Sequence, residues 1–338
     1  MRSTKCCAII ARRGSLRAGT LLLVVALLGS LALSQETTLR SQANVVLIPT
    51  LVKDQQGGIF YGLKAEDFMI EDDGRELPAR LDEAPEGQPI SLVVAIQRGR
   101  RAYYEFQRMQ GLKTMLEPLF AQGTARVAIV EFDSQVELTR NFTNDASLIS
   151  DDLTSLRPGD NGATILDAVN YSLGLLRQES EDRLRVLLLI SETRDHGSHV
   201  KIDQTVTAVG QANAVMYALA FSPALSNILD TGRGTNKDEM HNGVNILDLA
   251  YRTGQAMRKN APQTLAAMTG GEYELFATRK KFDLRMNDFT NHLHGRYLLS
   301  IAPKDPRPGL HQIRVRLNTG RTGQVLARSS YWVDGPNR

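Results

Sequence analysis

Thiols are almost missing from this 338-residue sequence: its two cysteines, Cys6 and Cys7, are adjacent and both lie in the first 34 residues. The rest has no thiol, disulfide or thiolate metal ligand, so packing has to supply its stability. Neither cysteine follows an apolar stretch, which excludes the acylated cysteine of a lipoprotein. No apolar run reaches the roughly 20 residues of a membrane-spanning helix either. Leu21 to Leu33, interrupted by Gly29 and Ser30, is preceded by Arg2, Lys5, Arg12, Arg13 and Arg17 and followed by Ala32-Leu33-Ser34. A basic stretch, a short apolar core and small residues in that order predict a secretory signal over residues 1–34, with a retained anchor as the alternative. No large excess of one charge sign remains beyond it. Taking those five basic residues from 40 leaves 35, against 37 acidic ones, for a formal net charge of −2. Nucleic-acid binding, which needs a basic footprint, loses its main support. There is no G-x-S-x-G nucleophile elbow, no internal repeat and no low-complexity tract.

What is present divides into three parts after the leader. Residues 35–89 read as an N-terminal β segment: an apolar, β-branched stretch at Asn44–Val52, then Asp67-Phe-Met-Ile-Glu-Asp-Asp-Gly74, a strand running into an Asp-Gly turn. From residue 90 to 296, buried strands alternate with helices. Ile90–Ile96, Arg126–Phe132, Leu184–Ile190 and Ala214–Phe221 are strand-like, with Val136–Phe142 a hairpin partner of the second. Apolar spacing predicts helices over 101–122, 146–156, 164–176, 245–268 and 282–293. Such alternation predicts an α/β fold with a doubly wound, mainly parallel sheet. Residues 297–338 return to β, and the two end segments are expected to pack as a small β-sandwich beside the α/β region.

Three segments together resemble the von Willebrand factor A-type domain. Ile90-Ser-Leu-Val-Val-Ala-Ile96 is similar to the strand that carries D-x-S-x-S. Gly162-Ala-Thr-Ile-Leu-Asp-Ala168 resembles the G-G-T-x-L-x-D-A loop, and Leu187-Leu-Leu-Ile-Ser-Glu-Thr-Arg-Asp195 the strand ending in S-D-G-x-D. Residues 62–74, 295–301 and 311–317 resemble the flanks of the secreted VWFA-related family first grouped from acidobacteria. The resemblance implies a metal-ion-dependent adhesion site at the carboxyl ends of the strands, built from hard oxygen ligands around Mg²⁺. Carried over residue by residue, the motif aspartate falls at Gln97, or at Ile96 if the spacing shifts by one. Its two serines fall at Gly99 and Arg101; the threonine is kept as Thr164; the third aspartate falls at Glu192, with Asp195 nearby. A neutral amide, a missing side chain and a cation replace the carboxylate and hydroxyls, so the site is degenerate and neither Mg²⁺ nor another cofactor is expected.

Arg98, Arg100 and Arg101 suggest a substitute: a guanidinium in the metal position, paired with Glu192 or Asp195 or open to a partner's carboxylate. The plainer reading makes them a solvated loop and first helical turn. Thr164 also reads as a helix N-cap, with Asp167 at the capping-box position. His196 and His199, with Asp195, can be drawn as a zinc cluster, but such loop pairs are more often solvated. His292 and His294 sit at a helix end, where a cation meets the dipole favourably. The expectation is an exported, periplasmic or extracellular, non-catalytic protein-binding module with no nucleic-acid partner and no membrane span after cleavage. Its surface would be loops 98–101, 159–164, 192–199 and 222–242. The alternatives are a structural part of an envelope assembly contacting through the sandwich, and a hydrolase.

Overall fold

The computed structural model describes residues 45–82, 88–99, 109, 111–121, 123–221, 246–304, 306–318 and 322–334. The leader, Arg100, Arg101 and the 222–242 loop lie outside them. Residues from Asn44 onward form one compact unit.

Its centre is a six-stranded sheet made of β5 (Ile90–Gln97), β6 (Ala125–Phe132), β7 (Val136–Thr143), β8 (Leu184–Glu192), β9 (Ala214–Phe221) and β10 (Tyr273–Phe276). The order is β10-β9-β8-β5-β6-β7, and all neighbours are parallel except the β6–β7 hairpin at one edge. This is the doubly wound, mainly parallel α/β sheet expected from the strand–helix rhythm. Strand pleating sends alternate residues of β5 to opposite faces. Leu92, Val94 and Ile96 pack against α1 (Leu112–Ala121), α2 (Ala146–Thr154) and α7 (Arg279–His294). Val93 and Ala95 face α3 (Ile165–Gln178), α4 (Ile202–Ala212), α5 (Ile246–Lys259) and α6 (Ala261–Thr269). Burial on both faces explains why β5 and β8 are apolar without alternation. Among the described residues no helix is long and apolar enough to cross a membrane.

The helix expected over 245–268 is two helices. Asn260 ends the first and caps the second, its side chain accepting from the Gln263 amide at 3.1 Å, with Pro262 in the first turn of α6.

Two antiparallel sheets bring the chain ends together. One holds β1 (Val46–Lys53), β4 (Arg80–Asp82), β11 (Tyr297–Ile301) and β13 (Gln324–Leu326). The other holds β2 (Phe68–Asp72), β3 (Arg75–Leu77), β12 (Gly309–Leu317) and β14 (Ser330–Val333). Ile48, Val52, Leu299 and Ile301 of the first face Phe68, Ile70, Ile313 and Tyr331 of the second in one core. The β2–β3 turn is the expected Asp-Gly pair, with Asp73 at φ 47° and Gly74 at φ 80°.

Arg328 ties this sandwich to the α/β layers. It is 7% exposed and donates to the carbonyls of Gly210, Leu47 and Ser330 and to Asn213 Oδ1. Burial lowers its pKa to about 10, so it stays charged at neutral pH. Arg328→Met keeps the apolar stem but strands those acceptors, and is expected to cost about 2 kcal/mol in urea unfolding.

Candidate binding site at the strand ends

The sheet order changes direction between β5 and β8, since the chain leaves one toward β6 and the other toward β9. Ligands of open α/β sheets bind beyond the strand ends at such a point. Gln97 ends β5 and Glu192 ends β8, and the structure joins them directly. Gln97 Nε2 donates to Glu192 Oε1 at 2.8 Å and to the Gly162 carbonyl at 3.2 Å, while its Oε1 accepts from the Glu192 amide at 2.9 Å. Gln97 is 1% exposed and Glu192 8%. The amide thus presents a nitrogen donor, not an oxygen, toward the neighbouring carboxylate. The same Glu192 Oε1 lies 3.2 Å from His196 Nε2.

Thr164 is buried, and its hydroxyl donates to the Asp133 carbonyl at 3.0 Å, as does its amide. That corrects the N-cap reading, because Thr164 makes no side-chain cap. The first turn of α3 is capped from 30 residues away: the Leu166 amide donates to Asp195 Oδ1 (3.0 Å) and Ser198 Oγ (3.1 Å), and the Asp167 amide to Ser198 Oγ (3.2 Å). Asp195 is therefore a capping residue and does not join Glu192. Asp167 turns outward to receive the amides of His199 and Val200 and His199 Nδ1 at 3.1 Å. Asp195, His196 and His199 take three separate partners, so the drawn zinc cluster is not assembled.

Arg98 departs from expectation in a different way. Its amide bonds the Phe132 carbonyl, continuing the β5–β6 ladder. Its guanidinium reaches Asp133 Oδ2 at 3.0 Å, Glu137 at 3.0 Å and Glu131 at 3.4 Å. Burial works against its charge, yet Asp133, Glu131 and Glu137 together raise its pKa above the usual value. Asp133 also accepts from the amides of Gln135 (3.0 Å) and Asp160 (3.4 Å). Asp160 receives the Ser134 hydroxyl and the Ser134 and Gly162 amides, which hold its pKa down. Asp160 lies in the expected 159–164 loop, whereas Glu131, Asp133 and Glu137 were not singled out in the sequence; the signal was Glu-Phe-Asp at and just after the end of β6. Gly99 offers no ligand, and a β-carbon there would stand 3.0 Å from the Asp160 carbonyl and 3.1 Å from that of Gly162. A serine there would require both carbonyls to give by a few tenths of an ångström. Arg100 and Arg101 fall outside the described residues.

Two further features lie away from the strand ends. His292 is buried and paired to Glu272 at 2.6 Å, a stronger role than the expected dipole contact. It lines a cavity of about 290 Å³ with Lys53, Tyr217, Glu272, Arg285 and Phe289. The charges there are paired internally: Lys53 with Glu272 at 2.6 Å, and Arg285 with Glu274 at 3.2 Å and Asp288 at 3.0 Å.

No protein-family model matches the chain, and no curated protein matches it. Solved structures similar to it include the vWF domain of the type V pili tip protein Mfa5 from Porphyromonas gingivalis, 16% identical over 32% of this chain and 38% of that one, with a TM-score of 0.28. The PilB minor pilin from Streptococcus sanguinis is 14% identical over 62% of each chain, with a TM-score of 0.40. BatB from Bacteroides thetaiotaomicron is 13% identical over 60% of this chain and 98% of that one, with a TM-score of 0.38. The chain spans less than two thirds of the Mfa5 and PilB structures named here. The fold class stands on the chain's own strand order and hydrogen bonding.

Proposed function

We propose that this chain is an exported, non-catalytic protein-binding module of the von Willebrand factor A type that meets its partner at the strand-end loops without a metal ion. The Gln97–Glu192 pair carries this reading. An octahedral Mg²⁺ site needs converging oxygen ligands, and at the end of β5 an amide N–H already occupies the Glu192 carboxylate at 2.8 Å. Beside it, Arg98 supplies a fixed positive charge among three carboxylates. The rim of exposed Asp160, Asn161, Arg194, His196 and His199 around these buried pairs is a polar surface suited to a protein partner.

Isothermal titration of the full-length chain with Mg²⁺ is expected to give no saturable binding in the micromolar range. Micromolar binding abolished by Thr164→Ala would overturn the metal-free reading. Crosslinked capture from the native envelope fraction is expected to weaken when Asn161 and Arg194 are both changed to alanine. Turnover of ester, peptide or phosphate substrates by the purified chain would replace this reading with the hydrolase.

A second reading, contact through the sandwich, has one observation in its favour. Tyr61, beside that sandwich, is 69% exposed. Capture lost in Tyr61→Ser and kept in the strand-end double variant would move the interface there.

A further inference from the structure

We infer that Asp72, Asp73 and His311 form a binding site for a divalent transition-metal ion, zinc foremost, at the β2–β3 turn of the sandwich. One ligand atom from each lies within 4.8 Å of the others. The site is remote from the strand ends and is independent of the proposed function.

The hydrogen-bond geometry of His311 suits a metal ligand. Its Nε2 lies 2.6 Å from the Arg307 carbonyl, an acceptor only, so that nitrogen carries a hydrogen. The neutral ring then turns the lone pair of Nδ1 toward Asp73 Oδ2, 2.8 Å away. A metal ion between them needs the contact to open to about 3.3 Å, the ligand spacing of a tetrahedron with bonds of about 2.0–2.2 Å. Asp73 is exposed at a turn, so its carboxylate can swing that distance.

The surroundings are those of a ligand set already oriented. A metal-binding imidazole characteristically donates its second N–H to a backbone carbonyl, as His311 does to Arg307. Tyr331 stacks on the His311 ring with centroids 4.9 Å apart, and its hydroxyl donates to the Asp72 carboxylate at 3.1 Å. The Gln312 amide holds Asp73 Oδ1 at 2.9 Å, which leaves Oδ2 directed at the imidazole. The backbone is fixed too, because Ile313 pairs with Asp72 across β12 and β2 and the Asp73 amide bonds the Gln312 carbonyl. One imidazole with two carboxylates suits zinc, cobalt or nickel better than magnesium, and water would complete the shell.

The test is titration of metal-stripped full-length chain with Zn²⁺, in a Cys6→Ser/Cys7→Ser background so that no thiolate competes. One equivalent is expected to bind at micromolar affinity or tighter and to raise Tm. Co²⁺ in its place is expected to give visible d–d absorption. Asp73→Asn keeps a residue that tolerates the positive φ of the turn, so it should fold and yet bind roughly 100-fold more weakly. His311→Gln should abolish the cobalt spectrum. Binding no tighter than millimolar, or affinity unchanged in a folded Asp73→Asn chain, would overturn the inference.

Discussion

Gly271→Ala is expected to cost more than about 4 kcal/mol and to leave most of the chain unfolded at 37 °C. A β-carbon at this position would fall 1.8 Å from the Met216 carbonyl oxygen and 2.6 Å from its carbon. Neither atom can yield, because Met216 lies within β9 and is paired in register with Leu187 of β8. The close approach has a purpose in the fold. Gly270, at φ 73°, ends α6 in the left-handed conformation, and Gly271 then passes over β9 so that the Glu272 carbonyl accepts from Ala218 at 2.8 Å. β10 joins the sheet by that step. Gly174 is the control: it lies inside α3 with nothing within 4 Å of its virtual β-carbon. Gly174→Ala should be neutral or stabilise by up to about 1 kcal/mol. Urea midpoints read both. A Gly271→Ala chain with a midpoint near wild type would show that β10 joins β9 less tightly than described.

Much of the architecture was legible because burial writes a pattern that needs no partner to decode. β8 is apolar without a break from Val186 to Ile190, and all of its residues after Leu184 are buried. In α7, Phe282, Met286, Phe289 and Leu293 recur at helical spacing and all face the core. The break at Asn260 was missed for the same reason it works: helical periodicity continues across it, and only the cap followed by Pro262 marks a new start. Local signals of that kind are outweighed when a window is read for its apolar stripe alone.

The candidate site was half legible. Gln97 and Glu192 follow from the ends of two apolar strands, and their pairing follows once those strands are neighbours. Thr164 looked like a cap because capping rules are local, whereas the groups that cap α3 come from Asp195 and Ser198. Arg98 carried a charge without an address. Its partners Glu131, Asp133 and Glu137 lie on β6, on the turn after it and on β7, which the fold brings beside the end of β5. Long-range pairing of this kind depends on sheet order, which no single window of sequence contains.

The second large effect is expected at Glu272, in the charged cluster where β1, β10 and α7 meet. Glu272 is 11% exposed in its side chain and holds both Lys53 Nζ and His292 Nδ1 at 2.6 Å. Burial alone would push its pKa up, but the His292 and Lys53 hydrogen bonds and the charge on Lys53 outweigh it and bring the pKa to about 2, from 4.5. A lowered folded-state pKa means that the unfolded chain binds more protons between those values, so stability rises with pH across the window. The contribution is complete above about pH 4.5, amounts to about 3 kcal/mol, and is lost as pH falls toward 2. Glu274, on the neighbouring edge, has a pKa raised mainly by burial, and Arg285 and Asp288 face it from α7. Its slope has the opposite sign, which makes the difference between wild type and variant the informative quantity. Glu272→Gln keeps the volume and removes the charge, leaving Lys53 and His292 facing an amide. The variant is expected to lose about 3 kcal/mol at pH 7. Its deficit should shrink steadily from pH 4.5 downward, because wild type gives up the same interaction on protonation. Urea midpoints at pH 7, 5 and 3 would follow the convergence, and a deficit that stays constant across them would assign the cost to packing and not to the ion pairs.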